Sequence, residues 1–194
     1  MHKARFQHII SVVILLSFLF VRPARASDDG FGQAGKEAGR YFDIYYAPSL
    51  ETPELSRQLD IRAADRILSG GPVEKSASFV AGLAGMIDTL FLQICDILDM
   101  HVYSFKGNIK ICRDQAHLER VYRALFNQGL NDMRSFYVES LNTIYISAES
   151  FQSGILGHEI AHAIMSRYFV VPPPVKAAEV LAGYVEYQLR KTSR

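Results

Sequence analysis

Two histidines and a glutamate near the C-terminal end of the chain have the residue types and the spacing of a metal site. His158 and His162 are four residues apart, so on a helix their side chains project from one face, one turn from each other. Their imidazoles can then bind one metal ion. Glu159 lies beside the first, where its carboxylate can hold and deprotonate a metal-bound water. Zinc lowers the pKa of such a water towards neutrality. The pattern predicts a Zn²⁺ site with Glu159 as the catalytic general base.

The residues around this motif predict a buried helix. The apolar side chains that flank it are Ile155, Leu156, Ile160, Ala161, Ala163 and Ile164. A buried His-Glu-His face without metal would leave polar groups unpaired, at a cost of about 1–3 kcal/mol each. This context favours metal binding over the alternative, which is a pair of surface histidines on an amphipathic helix.

A catalytic zinc site has three protein ligands and one open position. After the first 26 residues the chain has only two other histidines, His101 and His117, both upstream, and no cysteine follows the motif. A carboxylate of the last predicted helix remains as the third ligand. Glu179 and Glu186 are seven residues apart and share a helix face. We prefer Glu179 because it lies nearer the proline-rich linker. The alternative for Glu186 is a solvated or supporting carboxylate.

Small and aromatic residues lie between and beside these two glutamates. Ala182 and Gly183 are small, which predicts a close approach of the last helix to the metal helix. Tyr184 and Tyr187 are candidate catalytic residues, since their hydroxyls could donate to the oxyanion that forms during hydrolysis. The alternative is that both are ordinary core or surface tyrosines.

Two helical motifs of the chain resemble a known family. His158-Glu-Ile-Ala-His-Ala163, a proline-bearing linker and then Glu179-Val-Leu-Ala-Gly-Tyr-Val-Glu-Tyr187 are similar to the gluzincin zinc metallopeptidases, in particular the compact peptidase MA-like domains. The resemblance implies a zincin-like fold, zinc-dependent peptide hydrolysis and Glu179 as the third ligand. Three features depart from it. Gly183 lies where thermolysin-like members have an aspartate that orients a ligand histidine, Val180 replaces a frequent glycine, and the linker is short.

The N-terminal 26 residues predict a secretory signal. Lys3 and Arg5 precede the apolar run Ile9–Val21, and Ala24-Arg-Ala26 predicts cleavage after Ala26. We therefore expect a periplasmic or secreted protein with no stable membrane span after cleavage. The alternative is an uncleaved anchor. Residues 27–39 are rich in glycine and predict a flexible lead-in, and residues 40–194 predict a single metallopeptidase-like domain.

The remaining pattern predicts an α+β fold, in which a small twisted, mostly antiparallel sheet packs on helices and the zinc site lies between the last two helices. The predicted strands are Tyr41–Tyr46, His101–Phe105, Asn108–Cys112, Phe136–Val138 and Thr143–Ser147. The predicted helices are Pro53–Leu68, Ser76–Met100, one capped by Asp114 and ending near Asn127, Ser150–Tyr168 and Val175–Arg190. We expect Thr143–Ser147 to be the sheet edge beside the cleft.

The composition of the chain limits the classes of partner that it could bind. A net charge of +1 with scattered Lys and Arg excludes a basic nucleic-acid surface, and 49% hydrophobic residues predict a folded domain. Aspartates in the apolar segment Ser76–Met100 favour a core helix over a membrane span. Cys95 and Cys112 are compatible with either a disulfide or two separate buried thiols.

The expected activity is zinc-dependent hydrolysis of a peptide or protein substrate. The alternative is a non-catalytic zinc-binding module of the cell envelope.

Overall fold

A computed structural model of the chain describes residues 29–59, 82–102 and 104–192. The predicted signal, residues 1–26, lies outside the described residues. So do residues 60–68 of the helix predicted from Pro53 and residues 76–81 of the next predicted helix.

Five strands form one mixed sheet. In chain order they are β1 (Gly35–Ala38), β2 (Phe42–Tyr46), β3 (Gly107–Cys112), β4 (Ser135–Val138) and β5 (Thr143–Ser147). The order across the sheet is β1-β2-β3-β5-β4. The pairs β1–β2 and β4–β5 are antiparallel, and the pairs β2–β3 and β3–β5 are parallel. The α+β class is thus confirmed, but the prediction of a mostly antiparallel sheet is wrong. The chain returns through helices between β2 and β3 and between β3 and β4, which allows the parallel pairs.

Five α-helices occur among the described residues: α1 (Thr52–Gln58), α2 (Leu83–Leu98), α3 (Gln115–Phe126), α4 (Ser153–Tyr168) and α5 (Val175–Thr192). The cap predicted at Asp114 is confirmed, because its Oδ1 accepts a hydrogen bond of 2.7 Å from the His117 backbone N–H. The linker after α4 contains three consecutive prolines, which cannot continue that helix, so α5 begins as a separate element.

The sheet has a buried core on each face. Helices α1, α2, α4 and α5 pack on one face, where Ile109, Ile111, Ile144 and Ile146 meet them. Helix α3 covers the other face together with Tyr145. Every residue of β5 is buried, as expected for a strand with neighbours on both edges and helices on both faces.

Three sequence predictions are wrong at this level. The segment His101–Phe105 is not a strand in its described residues, because Phe105 turns into the aromatic core and stacks 5.1 Å from Phe91. The expected flexible lead-in, residues 27–39, contributes strand β1, which pairs with β2 through backbone hydrogen bonds that its glycine-rich sequence did not indicate. The strand Thr143–Ser147 is not an edge, since β4 pairs with its outer side.

Cys95 and Cys112 are both buried free thiols. They belong to the cores on opposite faces of the sheet, which separates them. Of the two alternatives, two separate thiols are therefore confirmed. Burial raises the pKa of Cys112 to about 12, so this thiol stays protonated at neutral pH.

Among the described residues, no helix has both the length and the apolarity that a membrane crossing requires. This agrees with the interpretation of the Ser76–Met100 segment as a core helix. Leu90, Phe91 and Ile94 of α2 are buried in the protein.

Candidate metal centre

Helix α4 carries the His-Glu-His motif and is held firmly by its neighbours. The prediction of a buried helix is confirmed, because Leu156, Ile160 and Ile164 are fully buried against the sheet and α2. These residues repeat at four-residue intervals and define the inward face of the helix. His158 and His162 lie on a neighbouring, partly exposed face that points towards α5. The core packing of α4 thus fixes the direction of both imidazoles.

The structure brings His158, His162 and Glu179 to one point. The two Nε2 atoms are 3.2 Å apart. Glu179 of α5 places Oε2 at 3.5 Å from His158 Nε2 and Oε1 at 3.5 Å from His162 Nε2. Among the described residues, this is the one group of three or more His, Cys, Asp or Glu side chains close enough to hold an ion together.

These separations fit the dimensions of a zinc site. Ligands at about 2.0–2.2 Å from a tetrahedral Zn²⁺ lie roughly 3.3–3.6 Å from one another. The observed separations of 3.2 and 3.5 Å match that size before any rearrangement. Two imidazoles and one carboxylate are also a donor set that zinc prefers in catalytic sites. Burial, together with the neighbouring His158, lowers the pKa of His162, which favours the neutral form that binds metal.

Glu159 is buried, with 7% of its surface exposed, and its carboxylate points to the strand side of the site. Ser135 of β4 donates a hydrogen bond of 2.7 Å to Oε1. Burial raises the pKa of Glu159, while the Ser135 hydrogen bond acts in the opposite direction. The Ser135 hydroxyl leaves the second carboxylate oxygen available and holds the group in one orientation.

Glu186 meets the other side of His158. Its Oε2 is 3.4 Å from His158 Nδ1, whereas Glu179 faces Nε2. The second oxygen, Oε1, pairs with Arg190 Nη2 at 2.5 Å. The sequence left the role of Glu186 open, and the structure places its carboxylate behind a histidine of the cluster.

Close contact between α4 and α5 makes these distances possible. Ala182 is fully buried, as the sequence predicts for a close approach. Gly183 does not contribute, because a Cβ there would meet nothing within 4 Å. The tight point is Gly157 of α4, where an added Cβ would overlap the Leu189 side chain of α5. Gly157, a small residue that this contact requires, therefore lies on α4 and not on α5.

A pair of matched glycine substitutions tests this contact. Gly183→Ala should raise the free energy of unfolding by up to about 1 kcal/mol, because alanine favours a helix more than glycine does. Gly157→Ala gains the same propensity, but it forces the buried Leu189 to move, and we expect it to be about 1–3 kcal/mol less stable than Gly183→Ala. Urea unfolding of the two metal-free variants measures the difference. Equal stability would contradict tight packing at Gly157.

A cleft of about 740 Å³ opens in front of the cluster. One wall is β4 with the preceding residues, and the other is formed by α4, the proline linker and α5. Strand β4 pairs only with β5 in the described part of the chain, so its outer edge is free. The edge beside the cleft is thus β4, whereas the sequence predicted Thr143–Ser147. Both strands are short and β-prone, and only the pairing distinguishes them.

The structure does not bring Tyr184 or Tyr187 to the cluster. They are 48% and 61% exposed, and neither is among the described residues that line the cleft. At about 100° per residue, Tyr184 lies about 140° around the helix from Glu179, so a helical wheel already predicts this separation.

Ser135 and Tyr137 are cleft residues that the sequence did not indicate. The Tyr137 hydroxyl donates to Asn142 Oδ1 at 3.0 Å and lies 3.0 Å from Ser166 Oγ. Burial raises the pKa of Tyr137, so its hydroxyl stays protonated. Both residues alternate on β4 with the buried Phe136, which places them on the face towards α4. That alternation was the available signal, but it needed the strand to be placed beside the motif.

No family model, no curated protein and no solved structure matches this chain. The assignment of a function depends on the geometry and chemistry of the site itself.

Proposed function

We propose that this protein is a zinc-dependent peptide hydrolase with a zincin-like fold, of the gluzincin type. In this proposal His158, His162 and Glu179 bind Zn²⁺, and Glu159 is the general base. The observation that carries it is the cluster of two Nε2 atoms and one carboxylate with separations of 3.2–3.5 Å, directly beside a buried glutamate.

In this proposal, different residues of the site bind the metal and transfer the proton. When bound, zinc would supply Lewis-acid polarisation of the scissile carbonyl and would lower the pKa of water. His158, His162 and Glu179 hold the ion and leave the cleft side open. Glu159, kept in place by Ser135, accepts a proton from the attacking water and can return it to the leaving amine.

The free edge of β4 supports an extended polypeptide as substrate. An extended chain can pair with an exposed strand edge through main-chain hydrogen bonds, whatever its side chains are. Beside β4 the cleft is about 740 Å³ in volume, which is enough for several residues of such a chain. We propose a peptide or protein substrate in the periplasm or outside the cell. The predicted signal would export the protein to that location. Mass spectrometry of the mature chain tests the export, since Ser27 should be its first residue.

The proposed function predicts about one Zn²⁺ per chain after reloading of metal-free protein, measured by atomic emission. The zinc-loaded protein should cleave members of a broad peptide library, lose that activity with a chelator and regain it when zinc is added back. Absence of bound zinc would refute the proposal as a whole. Bound zinc with no cleavage across the library would instead favour the non-catalytic zinc-binding module.

A further inference from the structure

We infer that Glu186, held by Arg190, is the positioning residue for His158. It presents a carboxylate to the Nδ1 side of the imidazole and so directs the Nε2 lone pair at the metal. This inference rests on the proposed function, because it assigns a further residue to the same zinc site.

The first observation is that His158 Nδ1 lacks a hydrogen-bond partner. This nitrogen is buried and has no hydrogen-bond partner of good geometry among the described residues. A buried polar atom without a partner costs free energy, about 1–3 kcal/mol. Glu186 Oε2 lies 3.4 Å from this nitrogen, a few tenths of an ångström beyond the usual hydrogen-bond length. A small rotation of the imidazole towards a bound ion would be enough to form this bond.

The second observation is that the two glutamates face different nitrogens of one ring. Glu179 approaches Nε2, and Glu186 approaches Nδ1. The two nitrogens have distinct roles, and a hydrogen bond from one of them fixes which nitrogen is left to bind metal. A proton on Nδ1 that is shared with Glu186 leaves the Nε2 lone pair free beside His162 and Glu179. Glu186 therefore cannot be a ligand of the same ion through this contact.

The third observation is that Glu186 is itself fixed. Arg190 binds Oε1 at 2.5 Å, which leaves Oε2 for His158. Arg190 lies across the start of α4 at Gly154, where an added Cβ would come within 3.1 Å of Arg190 Cγ and 3.2 Å of its Nε. The absence of a side chain at Gly154 thus makes room for the arginine. The result is a chain of contacts from Arg190 through Glu186 to His158.

Helix geometry explains why Glu179 and Glu186 both reach His158. Positions 179 and 186 are seven apart and differ by only about 20° around the helix, and position 190 continues the same stripe. Glu179, Glu186 and Arg190 therefore follow α4 along its length, with Glu179 on the far side of His158 from Glu186. The two glutamates thus reach opposite nitrogens of the same imidazole from positions about two turns apart on α5.

The test is zinc affinity, measured by competition with a chromogenic chelator. Glu186→Ala should weaken zinc binding about 10–100-fold, the usual effect of removing a group that supports a ligand histidine. Glu186→Gln should recover part of this loss, because its amide oxygen can still accept from Nδ1–H. Glu119→Gln is the matched control, since Glu119 is an exposed carboxylate on α3 that pairs with Arg123 four residues away. It should bind zinc like the parent protein.

Nuclear magnetic resonance of the zinc-loaded parent protein gives a readout that is independent of variant folding. The ¹⁵N shifts and couplings of His158 should show a proton on Nδ1 and a metal on Nε2. Unchanged zinc affinity in Glu186→Ala, or metal bound through His158 Nδ1, would overturn the inference while the proposed function stands. Failure of the parent protein to bind zinc would overturn the proposed function as well.

Discussion

Glu159→Gln should reduce the rate of peptide hydrolysis by about 10²–10⁴-fold, the range typical for loss of a general base, with zinc still bound. The glutamine is nearly the same size and can still accept the Ser135 hydrogen bond through its carbonyl oxygen. It cannot accept a proton from water at neutral pH, so the attacking water is no longer activated. The substitution therefore separates proton transfer from metal binding. Steady-state cleavage of the best library peptide and zinc per chain are the two measurements.

The burial of Glu159 makes this prediction specific. A solvent-exposed carboxylate could be replaced by buffer or by another water, whereas Glu159 is enclosed between α4 and β4. Glu119→Gln is again the control, because it removes an exposed carboxylate and should keep full activity. If Glu159→Gln retained the parental rate with zinc bound, Glu159 would not be the base, and the mechanism would have to be abandoned.

Glu179→Gln should lower zinc affinity by more than the 10–100-fold expected for a supporting residue, because the change removes a charged ligand of the ion itself. The two matched variants, Glu179→Gln and Glu186→Gln, alter the same side-chain type on the same face of α5. Their ranking therefore separates the ligand from the positioning residue. The measurements are zinc per chain after dialysis and the zinc-dependent shift in thermal unfolding.

If zinc binds the folded state alone, it should stabilise the parent protein by about 2.7 kcal/mol when free zinc is 100 times its Kd. We expect this stabilisation in Glu119→Gln and little of it in Glu179→Gln at the same zinc concentration. If Glu179→Gln bound zinc as tightly as the parent while Glu186→Gln lost it, the two roles would be exchanged. The distances of 3.5 Å from Glu179 to both Nε2 atoms argue against that exchange.

Helical periodicity alone could have predicted that Tyr184 and Tyr187 point away from the site. Val180, Tyr184 and Tyr187 recur at helical spacing on the outer side of α5, and all three are exposed. The same periodicity that places Glu179 and Glu186 together turns this stripe away from the site. Tyr184 and Tyr187 were named as candidates for the hydrogen bonds that their hydroxyls could donate, and the direction of each side chain around the helix was not considered.

The order of the strands across the sheet could not be obtained from the sequence. The residues of β4 and β5 predict two strands correctly, and their antiparallel pairing follows from the short turn at Asn142. Which of them lies at the sheet edge depends on β3, which pairs with β5 from a distant part of the chain. The mistaken strand at His101–Phe105 also reflects packing between distant parts of the chain. Phe105 packs against other aromatic rings of the core and does not pair with a strand.

The sequence by itself determined what depends on one helix. The spacing of His158, Glu159 and His162 and the shared face of Glu179 and Glu186 follow from 3.6 residues per turn, which is a local property of the chain. Only the tertiary structure decided which nitrogen of His158 each glutamate faces, that Ser135 holds Glu159, and that Leu189 packs directly over Gly157. Those relations join elements that are distant in sequence. They depend on how side chains fill the space between packed helices and a sheet, and no local pattern encodes that packing.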